Sequence, residues 1–79
     1  MVTNDVKRWV VTVSRPNQPM MVVTAYDGAT HMTADARCED YEPQVFTESE
    51  AQAVVDAITW PGDSVSMMHL AYFNARHRQ

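Results

Sequence analysis

The sequence is poor in cysteine, glycine and large aliphatic residues, with one Cys, two Gly, one Leu and one Ile among 79 residues. The single cysteine, Cys38, excludes an internal disulfide framework and is typical of a protein in a reducing cytosol. Two glycines cannot build a glycine-rich phosphate-binding loop. The sequence has no run of about 18 apolar residues, nor a basic N-terminal segment leading into an apolar one, so we expect a cytoplasmic protein.

Basic residues are also scarce: six Lys and Arg stand against ten Asp and Glu, which gives a net charge of −4. This balance disfavours direct binding to nucleic acid. Nine of the ten acidic residues lie between Asp27 and Asp63, where Arg37 is the single base, so this stretch sums to −8. Such a pattern fits a solubilising surface, and it equally fits a negative face that meets a basic groove of a partner.

The hydrophobic residues, 46% of the chain, are mainly eleven Val, nine Ala and six Met. A chain of this length buries only about 60% of the surface it exposes when unfolded. We therefore predict a single domain over residues 1–79, with a small core that self-association or a large partner would help to stabilise.

Three segments have the alternating pattern of β-strands. In Lys7–Arg15, Trp9, Val11 and Val13 share one face; Met20–Tyr26 follows, and Asp27-Gly28 predicts a two-residue hairpin turn into a third strand that continues to Cys38. That turn would place Tyr26 opposite Ala29. The residues predicted to point inward are Met21, Val23, Met32, Ala34, Ala36 and Cys38. The residues predicted to form an outward polar row are Tyr26, His31, Thr33, Asp35, Arg37 and Glu39.

The second half of the chain changes to helical spacing. Gln44–Phe46 is predicted as a short fourth strand at the sheet edge, and Thr47-Glu48-Ser49-Glu50 as a capping box that opens a helix ending before Pro61. The apolar stripe of this helix is Ala51, Val54, Val55 and Ile58. For residues 64–77 we favour a second helix, with a strand as the alternative. The predicted fold class is α+β, a four-stranded antiparallel sheet with two antiparallel helices packed on one face.

Side chains that could carry chemistry are present but not in the spacing that chemistry requires. His31, Cys38, His69 and His77 have neither zinc-finger nor zincin spacing. The carboxylates of the segment 39–42 would need a desolvated cleft to act as acid and base, and so small a domain has little room for one. We therefore predict a protein that is not an enzyme and that holds no cofactor and no metal.

Several short motifs are similar to a known family. They are Ala-Tyr-Asp-Gly at 25–28, Ala-Arg-Cys-Glu-Asp at 36–40, Phe-Thr-Glu-Ser-Glu at 46–50, Pro-Gly at 61–62 and Arg-His-Arg at 76–78. Together they resemble the small phage-encoded anti-CRISPR proteins of the type I-F inhibitors. The resemblance implies a fold made of a four-stranded sheet with two helices. It also implies a protein that acts in a bacterial host cell.

The resemblance also implies a partner and a site. Members of this family dock on the backbone subunits of the crRNA-guided surveillance complex through an exposed sheet face and block binding of target DNA. The family's tyrosine before the hairpin turn matches Tyr26, and the glutamate of its Ala-Arg-x-Glu motif matches Glu39. The other candidate contact residues, near them on the predicted hairpin, are Thr24, His31, Asp35 and Arg37.

Two other functional interpretations remain open at this stage. The chain could be a homodimeric interaction or scaffold module that associates through a sheet edge or its helices, with no CRISPR target. An enzyme that uses the acidic residues Glu39, Asp40 and Glu42 is the third and weakest interpretation.

Overall fold

The computed structural model describes residues 6–58 and 62–77. Pro61 and Arg78, which belong to two of the motifs above, lie outside these ranges. The elements are, in chain order, β1 Trp9–Ser14, β2 Met21–Tyr26, β3 His31–Asp35, α1 Glu48–Ile58, β4 Ser64–His69 and α2 Leu70–His77. The strands form one antiparallel sheet in the order β3-β2-β1-β4, and both helices contact it. The predicted α+β class with a four-stranded antiparallel sheet is confirmed.

The interior strand β1 is buried on both of its faces, since Val10, Val11, Thr12 and Val13 are all at most 2% exposed. Val11 and Val13 belong to the apolar cluster that includes Ala51, Val54 and Ile58 of α1. Val10 belongs to a second cluster with Phe73 of α2. Because successive side chains of a strand point to opposite faces, the two helices cover opposite faces of the sheet.

The expectation that both helices pack on one face is therefore wrong. The sequence of β1, Trp-Val-Val-Thr-Val-Ser, carries valine at both odd and even positions. A run of this kind is typical of a strand that is covered on both sides.

The coverage of both faces of the sheet also explains why the fourth strand is formed by residues 64–69. Ser64–His69 pairs with the whole of β1, from Trp9 opposite His69 to Ser14 opposite Ser64, and the helix predicted for residues 64–77 is confined to Leu70–His77. A strand over these residues places apolar side chains on both faces, which a sheet covered on one face only would leave exposed. Both faces are in fact covered: Val65 and Met67 pack against the α1 cluster, and Met68 packs against the α2 cluster.

The prediction of an edge strand at residues 44–46 is wrong. The segment lies in the interior of the sheet, between β1 and β2. Phe46 and Trp9 form a β-bridge in which each backbone N–H donates to the carbonyl of the other, at 2.8 and 3.0 Å. On the other side, the Gln44 N–H donates to the Val23 carbonyl, at 3.1 Å, and the Gln44 side-chain oxygen accepts from the Tyr26 N–H, at 2.7 Å. The segment thus fills the gap where β1 and β2 separate, which satisfies backbone groups that would otherwise be orphaned.

The hairpin between β2 and β3 has a longer loop than predicted. Tyr26 pairs with His31, so four residues form the loop instead of two. The Asp27 carboxylate stabilises this loop by accepting from the N–H groups of Ala29 and Thr30, at 2.9 and 2.8 Å. A β-bulge between Val23 and Ala25 shifts the register further.

The predicted capping box at the start of α1 is confirmed. The Thr47 hydroxyl accepts from the Glu50 N–H at 3.2 Å, and the Glu50 carboxylate accepts from the Thr47 N–H at 2.9 Å. Lys7 adds a 3.1 Å ion pair to the same carboxylate. The predicted stripe is confirmed as well, since Ala51, Val54 and Ile58 are buried and Val55 packs beside them.

We predict that Thr47→Ala lowers the free energy of unfolding by about 1 kcal/mol, because it removes the acceptor that caps α1. Urea denaturation checks this value. Ser49→Ala, an exposed position in the same helical turn, is the matched control and should change stability by less than about 0.5 kcal/mol. Equal losses in the two variants would contradict the capping role.

Candidate functional site

Tyr26, the first candidate from sequence, lies on the α1 face of the sheet. The bulge reverses the alternation of β2, so Val23 and Tyr26, three positions apart, both pack against the α1 cluster. Tyr26 is half-buried and lines a concavity with Gln44, Phe46 and Val54. The prediction that Tyr26 projects outward from a helix-free face is therefore wrong.

The other predicted row members divide into two groups. His31 pairs with Tyr26, Thr33 with Val23 and Asp35 with Met21, so His31, Thr33 and Asp35 do share one face, beside α1. Arg37 and Glu39 come after the end of β3 and are exposed in the following loop. The row is thus shorter than predicted, and it lies on a face that α1 partly covers.

Asp35 and Arg37 are bound to each other. The Arg37 side chain donates to both carboxylate oxygens of Asp35, at 3.2 and 3.1 Å, and the Arg37 N–H donates at 2.8 Å. The Arg37 guanidinium is the main cause of a lowered pKa for Asp35, followed by the backbone N–H. These two candidates therefore neutralise each other. Thr24, the remaining candidate, donates from its hydroxyl to the Met32 carbonyl, at 3.3 Å.

The inward assignments hold for β2 and fail for part of β3. Val23 is buried and Met21 packs against the same cluster, but Met32 is 67% exposed. The cause is the register: Thr33 and not Met32 lies opposite Val23, and a slip of one residue moves a side chain to the other face. Farther along the chain, Ala36 is buried as predicted, while Ala34 and Cys38 are half-buried.

A concave surface lies at the β3 edge of the sheet. We define the β3 surface by its lining residues, Thr24, Met32, Thr33, Ala34, Asp35, Cys38 and Tyr41. Met32 is 67% exposed and Tyr41 is 58% exposed, two of the most exposed large apolar side chains described. The main helix contacts are with β1 and β4, which leaves this end of the sheet open.

Carboxylates border the β3 surface. Glu39, Asp40 and Glu42 flank Tyr41 in the chain and are exposed. Within the described ranges, no Lys or Arg nitrogen lies within 4 Å of these three side chains, whereas Glu50, Asp63 and Asp35 each have a basic partner. The arrangement is an apolar patch with a negative margin. Sequence reasoning missed Met32 and Tyr41; an aromatic residue inside an acidic run was the available signal.

The side chains that could carry chemistry lie apart from one another among the described residues. No group of three or more His, Cys, Asp and Glu side chains converges in the part of the chain that the structure describes. Glu39, Asp40 and Glu42 are exposed to solvent and do not line a closed cleft.

The helices that the structure describes are α1, with 11 residues, and α2, with 8. Neither of them is long enough to cross a bilayer.

No protein-family model matches the chain, and neither a curated protein nor a solved structure gives a match. The assignment of function therefore rests on the residues of this chain and their arrangement.

We predict that acid destabilises the protein through three carboxyl groups, those of Asp27, Asp35 and Glu50. The pKa values of Asp27 and Glu50 are lowered mainly by the backbone N–H groups of Thr30 and Thr47, and that of Asp35 by Arg37. Because the folded state prefers the charged carboxylates, their contribution is fully present above the ordinary carboxyl pKa of about 4 and is lost as pH falls through the lowered values.

The free energy of unfolding, measured between pH 6 and pH 2, should fall with acid in the wild type. Asp27→Asn should be less stable at pH 6 and should lose less on acidification, since it lacks one of the three titrating groups. An identical pH dependence in wild type and variant would contradict this interpretation.

Proposed function

We propose that this protein is a non-catalytic inhibitor that covers a basic surface of a nucleic-acid-guided complex with the β3 surface. The observation that supports this most strongly is the pairing of two exposed anchors, Met32 and Tyr41, with a border of carboxylates that have no described basic partner. A surface built in this way can supply both affinity and selection for a cationic partner.

The anchors would supply most of the affinity. Tyrosine is enriched among the residues that dominate binding energy, because it brings a large contact area with few rotatable bonds. Methionine is flexible and polarisable, so it adapts to irregular surfaces. The concave shape between Met32 and Tyr41 could accept a side chain of the partner.

The carboxylates would supply the competition with nucleic acid. Lys and Arg side chains that hold a phosphate backbone can pair instead with carboxylates, and such charge-assisted hydrogen bonds are the strong ones. Complementary charge also accelerates association and disfavours acidic partners. The carboxylates of Glu39, Asp40 and Glu42 would therefore pair with basic side chains of the partner that target DNA needs for binding.

The resemblance to type I-F anti-CRISPR proteins identifies the partner to test. We propose the backbone subunits of the crRNA-guided surveillance complex, in the cytoplasm of a bacterial host. Glu39, which matches the glutamate of the family's motif, borders the β3 surface. Tyr26 pairs with His31 at the start of β3, whereas Glu39 follows the end of that strand, and the four residue steps of β3 alone span about 13 Å. Both would contact one partner only if that partner runs along the whole of β3.

Self-association, the alternative from sequence, would use the other edge of the sheet. The β4 edge lies on the far side of β1 and β2 from the β3 surface, so the two functions would not compete for the same residues.

We predict that the chain co-elutes with a purified type I-F surveillance complex loaded with crRNA and prevents it from binding target DNA. Glu39→Arg should weaken binding at least about tenfold, because it places a cation against a basic surface. Glu48→Arg makes the same charge change at an exposed position of α1. It is the matched control and should bind like wild type when the two are compared at protein concentrations at which both are monomeric.

Tyr41→Ala should weaken binding by about thirtyfold, the loss expected when an interface anchor worth about 2 kcal/mol is removed. Tyr72→Ala removes a tyrosine of similar exposure, 52%, from α2 and should have no effect. Tyr26→Ala is a poorer probe, since Tyr26 packs against the α1 cluster. If Glu39→Arg and Tyr41→Ala, both folded, inhibit like wild type, the site is wrong; if no surveillance complex is bound, the proposed function is wrong.

A further inference from the structure

We propose that two copies of this chain form a symmetric dimer by antiparallel pairing of their β4 strands, which joins the two sheets into one of eight strands. This inference goes beyond the proposed function and does not depend on it, because β4 is the edge of the sheet opposite the β3 surface.

The β4 edge lacks the features that protect edge strands from pairing. Its sequence, Ser-Val-Ser-Met-Met-His, contains no proline, lysine or carboxylate, and its six pairs with β1 run without a bulge. The β3 edge differs: it is shorter, it ends at the ion-paired Asp35, and its neighbour β2 carries a bulge. Of the two edges, β4 is the one left open to another strand.

The backbone groups that point outward from β4 can be assigned from β1. Trp9 exchanges both of its backbone hydrogen bonds with Phe46 on the β2 side, whereas the Arg8 carbonyl accepts from the Leu70 N–H on the β4 side. Because orientation alternates along a strand, the even residues of β1 bond to β4. Their partners are Ser64, Ser66 and Met68.

The residues between them, Val65 and Met67, therefore direct their N–H and C=O groups away from β1. Within residues 6–58 and 62–77, no backbone group lies within hydrogen-bonding distance of that side of Val65 or Met67. Four polar backbone groups are thus available on this edge to a second strand.

A second copy of β4 satisfies these groups by symmetry. With a twofold axis at Ser66, Val65 of each copy lies opposite Met67 of the other, and the two pairs exchange four N–H to C=O hydrogen bonds. Ser66 then faces Ser66 of the second copy. Ser64 and Ser66 are exposed and small, so a strand can approach without steric conflict.

The helices fit this arrangement. Because α1 lies across β1 and β4, and neighbouring strands are about 4.8 Å apart, pairing through β4 would bring the two α1 axes to about 10 Å. Packed helices are typically separated by about 8–10 Å. The two copies of α1 would therefore close over the Val65 and Met67 side chains and extend the apolar layer that these residues already join.

Repulsion between like charges of the two copies opposes the dimer, and it makes the dissociation constant of the dimer depend on salt concentration. Glu48 and Gln52 line a concavity with Met67, and Gln52 donates to Asp56 one turn later, at 3.1 Å. This row would face the same row of the second copy, so like charges would approach. Salt screens that repulsion, and the dimer should be tighter at high ionic strength.

Sedimentation equilibrium of the full chain tests the proposal directly. We expect a monomer–dimer equilibrium at a protein concentration of about 100 μM in about 0.1 M NaCl, with a lower dissociation constant in about 1 M NaCl. A monomer under both conditions overturns the proposal.

Two lysine substitutions locate the interface. Ser66→Lys places two like charges opposite each other on the twofold axis and should weaken the dimer at least about tenfold. Ser64→Lys adds the same charge to the same strand and face but lies away from the axis, so it should keep most of the dimer. Circular dichroism and urea denaturation must show both variants folded.

If wild type dimerises and Ser66→Lys does so equally, β4 is not the interface and the proposal fails. The result can be separated from the proposed function, since a monomeric Ser66→Lys should still bind the surveillance complex if the β3 surface does so.

Discussion

The structure depends on the burial of β1 from both sides. Four consecutive residues, Val10 to Val13, are removed from water, and each apolar side chain buried in this way contributes about 1.5–3 kcal/mol. No single helix can cover both faces of a strand, so α1 takes the side of Val11 and Val13, and Phe73 of α2 takes the side of Val10. The open surfaces of the molecule are those that remain once β1 has been covered.

Those open surfaces lie at the two ends of the strand order. Both helices contact mainly β1 and β4, which leaves Met32 and Tyr41 exposed at the β3 end. In the part of the chain that the structure describes, no strand lies beyond the edge of β4. A dimer through β4 would place two β3 surfaces at the outer ends of one sheet, about seven strand spacings or roughly 34 Å apart. For the function proposed above, a dimer of this kind would offer two contact surfaces to a partner made of repeated subunits, where linked contacts increase avidity.

Local signals in the sequence predicted the local features. The alternation in β1 and β2, the capping box of Thr47 and Glu50 and the stripe of α1 each involve residues a few positions apart, and all are present. Non-local features were missed. Ser64–His69 is a strand because a helix covers each of its faces, and Phe46 pairs inside the sheet because β1 and β2 separate there. Because of the bulge and the four-residue loop, Met32 is exposed where an inward position was predicted, and Tyr26 packs against the α1 cluster where an outward position was predicted. The candidate site was therefore only partly predictable.

The placement of the helices on opposite faces is the claim on which both open surfaces depend, and nuclear Overhauser contacts in solution measure it directly. We predict contacts from the Phe73 ring to the methyl groups of Val10 and Val22, and from the Val54 methyl groups to Val11. Contacts from Phe73 to Val11 or Val13 would place α2 beside α1 on one face. That result would contradict the account, since the other face of the sheet would then be open and the contact surface would have to be sought there.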